Sequence, residues 1–161
     1  MSAFRRVYNF LAGMGLIVTD DPPNVVDLTR REWGPSAGGF ALSIHQTPNA
    51  DPEAQAAISA VLRNVSETAT RMTLPGGLFF YKLNIVGQDG GPIPMSPFGR
   101  ELLKPERNTE RVDLRLAPGE VTETQIPIGN IFSLRHKGTY RAQACCELPD
   151  GTQLLSNEIA I

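Results

Sequence analysis

The stretch Lys137-Gly138-Thr139-Tyr140-Arg141-Ala142-Gln143-Ala144-Cys145-Cys146-Glu147-Leu148 leaves the chain few choices. Tyr140, Ala142, Ala144, Cys146 and Leu148 share one face of an extended strand, and Thr139, Arg141, Gln143, Cys145 and Glu147 share the other. A helix would scatter the same apolar set around its circumference. A strand with one face in a core is the conformation that fits. The alternation also separates the vicinal cysteines: strand neighbours point to opposite sides and cannot easily bridge. Cys146 reads as a small core residue and Cys145 as a partly exposed thiol.

The same period recurs along the chain. Phe40, Leu42 and Ile44 alternate in a first strand, and Ile58, Ala60 and Leu62 in a second. Ala69 to Leu74 predicts a short edge strand ended by Pro75-Gly76-Gly77. Leu78 to Val86 is the most apolar run, with Phe79, Tyr81, Leu83 and Ile85 alternating against Phe80, Lys82, Asn84 and Val86, and predicts a central strand. Val112, Leu114 and Leu116 alternate in the next, Val121 to Ile128 follows, and Leu155, Ile159 and Ile161 point inward in a last strand from Thr152. Asn130 to Leu134 predicts a helical turn pinned by Ile131 and Leu134.

Turn chemistry punctuates these runs. Gln88-Asp89-Gly90-Gly91 is a hairpin signal, because Asp-Gly tolerates the positive φ of a primed turn. Ala117-Pro118-Gly119-Glu120 places Pro and Gly where a type II turn needs them. Asn64-Val65-Ser66 matches a glycosylation sequon and also a polar strand end that turns; the turn is preferred. Seven to eight antiparallel strands with no strand–helix alternation make an all-β, immunoglobulin-like β-sandwich. Gly138-Thr139-Tyr140 suits the tyrosine corner found late in such sandwiches.

Residues 1–31 read as a short amphipathic N-terminal helix followed by an extended arm, and 32–161 as the sandwich domain. Phe4, Val7, Tyr8, Leu11 and Met14 fall at helical spacing. The apolar run Phe10 to Val18 is too short to span a bilayer and lacks a small-x-small cleavage site before Thr19. An amphipathic helix that packs on its own domain or on a partner is preferred over a signal peptide, and membrane contact through it is not favoured. Pro22-Pro23 opens the arm in extended backbone. Trp33, the sole tryptophan, has two readings: a cap on the open end of the core, or an anchor for a partner.

With 161 residues, 20% of them charged, and a net charge of −2, the chain lacks the basic footprint of a nucleic-acid binder. No nucleophile elbow or P-loop is present. His45 and His136 stand apart, and no metal-ligand spacing surrounds the cysteines. The expectation is no catalytic set, no metal and no cofactor. Pro92-Ile93-Pro94-Met95-Ser96-Pro97 must be an edge or an irregular loop, since proline cannot donate to a ladder. Phe98 to Arg111 follows as the longest irregular stretch, its charges mixed in sign.

On these motifs, Ala57 to Glu120 resembles the intracellular-proteinase-inhibitor-like module of bacteria, the BsuPI type. The shared features are Asn64-Val65-Ser66, the aromatic-rich Phe79 to Val86, Asp89-Gly90, Ser96, Phe98-Gly99 and Leu116 to Glu120. Trp33 to Ile161 resembles, more loosely, immunoglobulin-like domains of bacterial envelope proteins, through Gly138-Thr139-Tyr140 and Ser156-Asn157. The resemblance implies a sandwich and admits protease inhibition through the Pro92 to Pro97 loop. Where such modules carry tryptophan after the hairpin, this chain has Ile93-Pro94-Met95. The leading expectation is a non-catalytic binding or structural module with a protein partner, either an accessory subunit or a protein of the cell envelope, with the cytoplasm an open alternative. Its expected contact residues are Phe4, Tyr8, Leu11, Trp33, Met95, Phe98 and Arg100.

Overall fold

The computed structural model describes residue 28 and residues 30–47, 56–134 and 138–161. They form an all-β fold of eight antiparallel strands in three sheets, with two short helices. The strands are β1 (Phe40–Gln46), β2 (Ile58–Asn64), β3 (Thr70–Pro75), β4 (Tyr81–Gly87), β5 (Arg111–Leu116), β6 (Val121–Ile126), β7 (Tyr140–Glu147) and β8 (Gln153–Ala160). The helices are α1 (Pro97–Leu102) and α2 (Ile128–Ile131). Two three-stranded sheets, ordered β1-β2-β6 and β4-β7-β8, face each other. That order matches the A-B-E and C-F-G strands of immunoglobulin-like sandwiches. β3 is an addition between the second and third of those strands, and it pairs with β5 in a separate two-stranded ribbon.

The core lies between the two larger sheets. Leu42, Ile44, Ile58 and Leu62 meet Ile85, Ala142, Ala144, Cys146 and Leu154, all buried. Burial pushes the Cys146 thiol up to about 12, with Cys145 adding to the shift, so it stays protonated and inert. Tyr140 is buried at the start of β7, and its phenol occupies the space a Cβ on Gly138 would need. Asn64, also fully buried, spends its whole carboxamide locally. Its Nδ2 donates to the Thr68 and Leu116 carbonyls, and its Oδ1 accepts from Ser66 N–H and Oγ. The sequon is thus a structural turn, with no nitrogen free to modify.

Four local expectations are corrected. Phe79 belongs to a 3-10 turn at Gly77–Phe79, so β4 starts at Tyr81; Phe80 and Tyr81 are both buried, with ring centroids 4.8 Å apart. β4 is an edge strand and β7 the central one. The Asp89-Gly90 hairpin is not a primed two-residue turn, because Gly90 alone has positive φ, at 78°. Gly90 N–H donates to Gly87 O and Gly87 N–H to Gly91 O, the three-residue loop that ends in a left-handed glycine. Pro149-Asp150-Gly151 repeats it, with Gly151 at φ 85°.

The fourth correction concerns β8. Gln143 pairs with Glu158 and Cys145 with Leu155, so two steps on β7 match three on β8. The extra residue is a β-bulge at Ser156-Asn157. Ser156 Oγ accepts from Ala144 N–H at 2.9 Å, standing in for a backbone partner. Beyond the bulge the facing residues change parity. Leu154 and Ser156 are buried and Ile159 packs on the core, while Leu155 is 48% exposed.

The bulge also turns Asn157 toward β1. Its Oδ1 accepts from Ile44 N–H at 2.8 Å and its Nδ2 donates to Ile44 O at 3.0 Å. One carboxamide thus acts as a strand's backbone would, joining the two main sheets. The rest of the β1 edge is closed by the preceding segment: Gly34 N–H donates to Leu42 O, and Ala37 and Phe40 exchange both backbone bonds. β4 is closed at its far end, where Ile93 N–H donates to Ile85 O and Pro92 bridges Val86.

Candidate interaction surface

The Pro92 to Arg100 segment is expected as a contact loop, and the structure shows how it is held. Ser96 caps α1: its Oγ accepts from Gly99 N–H at 2.9 Å, and Pro97 fills the first helical position. The same Oγ donates to Asn130 O at 2.5 Å, and Ser96 N–H donates to Ile131 O at 2.8 Å. Met95 bridges Phe132, and Ser133 N–H donates to Pro94 O. Gly99 is buried against α2, where a Cβ would collide with the Ile131 carbonyl. α1 is thereby seated on α2, and α2 is pinned in the core by Ile128 and Ile131.

Three of the expected contact residues project from this brace. Met95 is 37% exposed and Phe98 43% exposed, two of the four large apolar side chains so exposed among the described residues. Arg100 is exposed, and its Nη1 donates back to Met95 O at 2.7 Å, closing the loop beneath the apolar pair. Glu101 takes Lys104 at 2.5 Å and Arg107 at 3.1 Å, which holds its carboxyl below the usual range and ties α1 to the following turn. The stretch that reads as irregular in the sequence is an ordered helix and turn.

Trp33 sits elsewhere and joins neither reading fully. It is half-buried outside the main core, with the Arg63 guanidinium 5.8 Å from its ring centroid. That cation–π contact faces Arg63 Nε, which has no hydrogen-bond partner. Glu32 O accepts from Ser43 Oγ at 2.6 Å, and a Cβ on Gly34 would collide with the Leu155 carbonyl. The segment before β1 therefore lies fastened on the sandwich. Phe4, Tyr8 and Leu11, with the N-terminal helix expected around them, lie outside the described residues.

A cluster with no signal in the sequence fastens the same segment. Arg31 Nη1 lies 2.8 Å from His45 Nδ1, and His45 Nε2 lies 3.7 Å from Glu123 Oε1. An arginine only donates, so Nδ1 accepts and the ring proton sits on Nε2, facing the carboxylate. Partial burial lowers the His45 pKa, the Arg31 charge lowers it further, and Glu123 opposes them. The ring is neutral near pH 7. Glu123 is far from the other two in sequence, and the pairing of β1, β2 and β6 brings it beside His45, while Arg31 reaches the ring from the segment before β1.

Among the described residues no three of His, Cys, Asp and Glu gather to hold a metal ion, and no helix is long and apolar enough to cross a membrane.

The architecture defines an all-β sandwich protein. No family model and no curated protein matches the sequence. Among solved structures, a β-glucuronidase from Bacteroides uniformis is similar over 74% of this chain and 12% of its own, at 14% identity and a TM-score of 0.35. The chain thus spans about an eighth of that enzyme's length.

Proposed function

We propose that this chain is a non-catalytic binding module, an accessory subunit or envelope protein whose contact surface is Met95, Phe98 and Arg100. The observation that carries the reading is the pairing of exposure with rigidity: Met95 and Phe98 are partly exposed on a loop held by Ser96, Gly99 and two prolines. A loop held in advance loses little entropy on binding, and exposed apolar side chains supply the driving force. Trp33 and the N-terminal Phe4, Tyr8 and Leu11 would extend the contact.

The BsuPI-type resemblance keeps protease inhibition as a second reading, and the same rigidity favours it. The backbone weighs against it: Ile93 N–H, Pro94 O and Ser96 N–H already bond the chain's own backbone. A substrate-like loop needs those groups for the protease. Absence of inhibition across a serine-protease panel at micromolar concentration would dispose of it.

A photo-crosslinking residue at position 98, with a second at position 82 on the outer face of β4 as control, tests the leading reading in native lysate. A discrete adduct from position 98 alone, lost on Met95→Asp, is the expected result. Equal labelling from both positions overturns it.

A further inference from the structure

We propose that the β3–β5 ribbon is a second interaction surface, which takes an extended acidic segment of a protein partner. It is independent of the Met95–Phe98 surface. The ribbon's register puts Arg71 directly opposite Arg115, Thr73 opposite Asp113 and Pro75 opposite Arg111. Met72, Leu74, Leu114 and Leu116 turn into the core, so those facing pairs lie on the solvent side. That face carries three arginines against one aspartate, on a chain whose net charge is −2.

The cations are not equivalent. Arg111 turns Nη1 back onto Asn108 Oδ1 and Glu110 O, both at 3.1 Å. Asp113 is already shared, accepting from Thr73 Oγ1 at 2.7 Å and from Arg71 at 3.3 Å. Arg115 forms no ion pair among the described residues. Arg71, Asp113 and Arg115, with Ala69, Thr70 and Leu114, line an open pocket of about 460 Å³. Like charges directly opposite on neighbouring strands weaken the pairing, so the arginine pair costs the free protein stability. A carboxylate in the pocket would accept from both guanidiniums and reverse the sign of that interaction.

The backbone supports the same partner. Among the described residues β3 bonds no main chain beyond β5, whereas the β1 edge and the far end of β4 are closed. An extended segment can add to an open strand edge, main chain to main chain, with alternate side chains over the arginine face. The charge of that face selects acidic ones.

The test uses the full chain and a fluorescent ten-residue peptide alternating Glu with Val, read by anisotropy at low and high salt, with inorganic phosphate as competitor. Saturable binding that weakens with salt is expected. Arg115→Ser and Arg71→Ser should each weaken it about tenfold, the loss of one charge-assisted bond, while the melting temperature of Arg115→Ser stays level or rises. No saturable binding overturns the proposal. So does phosphate displacing the peptide at equal concentration, which would mark a small-oxyanion site. Unchanged binding in variants that aggregate also overturns it, since the arginines would then only guard the strand edge.

Discussion

Asn157 is the residue through which the bulge in β8 holds the two main sheets together, and its replacement gives a quantitative test. In Asn157→Ala, Ile44 loses a donor and an acceptor at once. Two lost bonds to strand backbone cost about 2–4 kcal/mol. For a domain of this size that is a melting temperature lower by roughly 10 °C. Asn157→Asp is more telling, because it keeps the shape and the acceptor that takes Ile44 N–H at 2.8 Å. It replaces the donor with an oxygen about where Nδ2 stands, 3.0 Å from Ile44 O.

An ionised carboxylate there faces a carbonyl with nothing to share, whereas a protonated one restores the donor. The folded-state pKa of the introduced aspartate is therefore raised above its unfolded value of about 3.9. The sign follows. Between the two pKa values the folded state binds more protons than the unfolded state, so stability falls as pH rises. Urea denaturation of the wild type and both variants at pH 4 and pH 7 reads this directly. The Asp variant should lie closer to the wild type at pH 4, and the Ala variant should carry the same deficit at both. An Asp deficit identical at the two pH values would refute the carboxamide's role as a strand mimic.

Two further outcomes follow from the geometry. His45 has a lowered folded pKa, so the unfolded state binds more protons as pH falls through about 6.5; stability declines below that point, and the Arg31 contact is lost when Nδ1 protonates. Emission from Trp33, the single tryptophan, should shift to the red as pH falls below about 6.5, and His45→Gln should remove the transition. Leu154→Ala should cost about 2–5 kcal/mol and Leu155→Ala under about 1 kcal/mol in denaturant melts. Equal costs would contradict the change of parity at Ser156-Asn157.

Strand positions, turn residues and most inward-facing residues are legible from the sequence because each depends on neighbours two to four positions away. Tyr140 to Leu148 folds with the face its alternation predicts, and Pro118-Gly119 turns with Gly119 at φ 77°. Leu155 does not follow its local pattern, because its facing is set by a bulge that depends on pairing with β7. Phe79 departs as well, since Phe80 and Tyr81 both go into the core and the chain enters β4 through a turn.

Met95, Phe98 and Arg100 stand out in the sequence as apolar and cationic residues in a proline-rich stretch, and they are exposed as that pattern suggests. The rigidity beneath them is invisible there, because Ser96 meets Asn130 and Ile131 across more than thirty residues. Arg31, His45 and Glu123, and the facing Arg71 and Arg115, are likewise unremarkable as letters. Alternation and turn chemistry are local, so an alternating, turn-punctuated all-β chain is legible in the residues alone. Which strand became an edge, which side chains met and which surfaces stayed open was decided by the tertiary structure, because those properties belong to pairs of residues that only long-range strand pairing brings together.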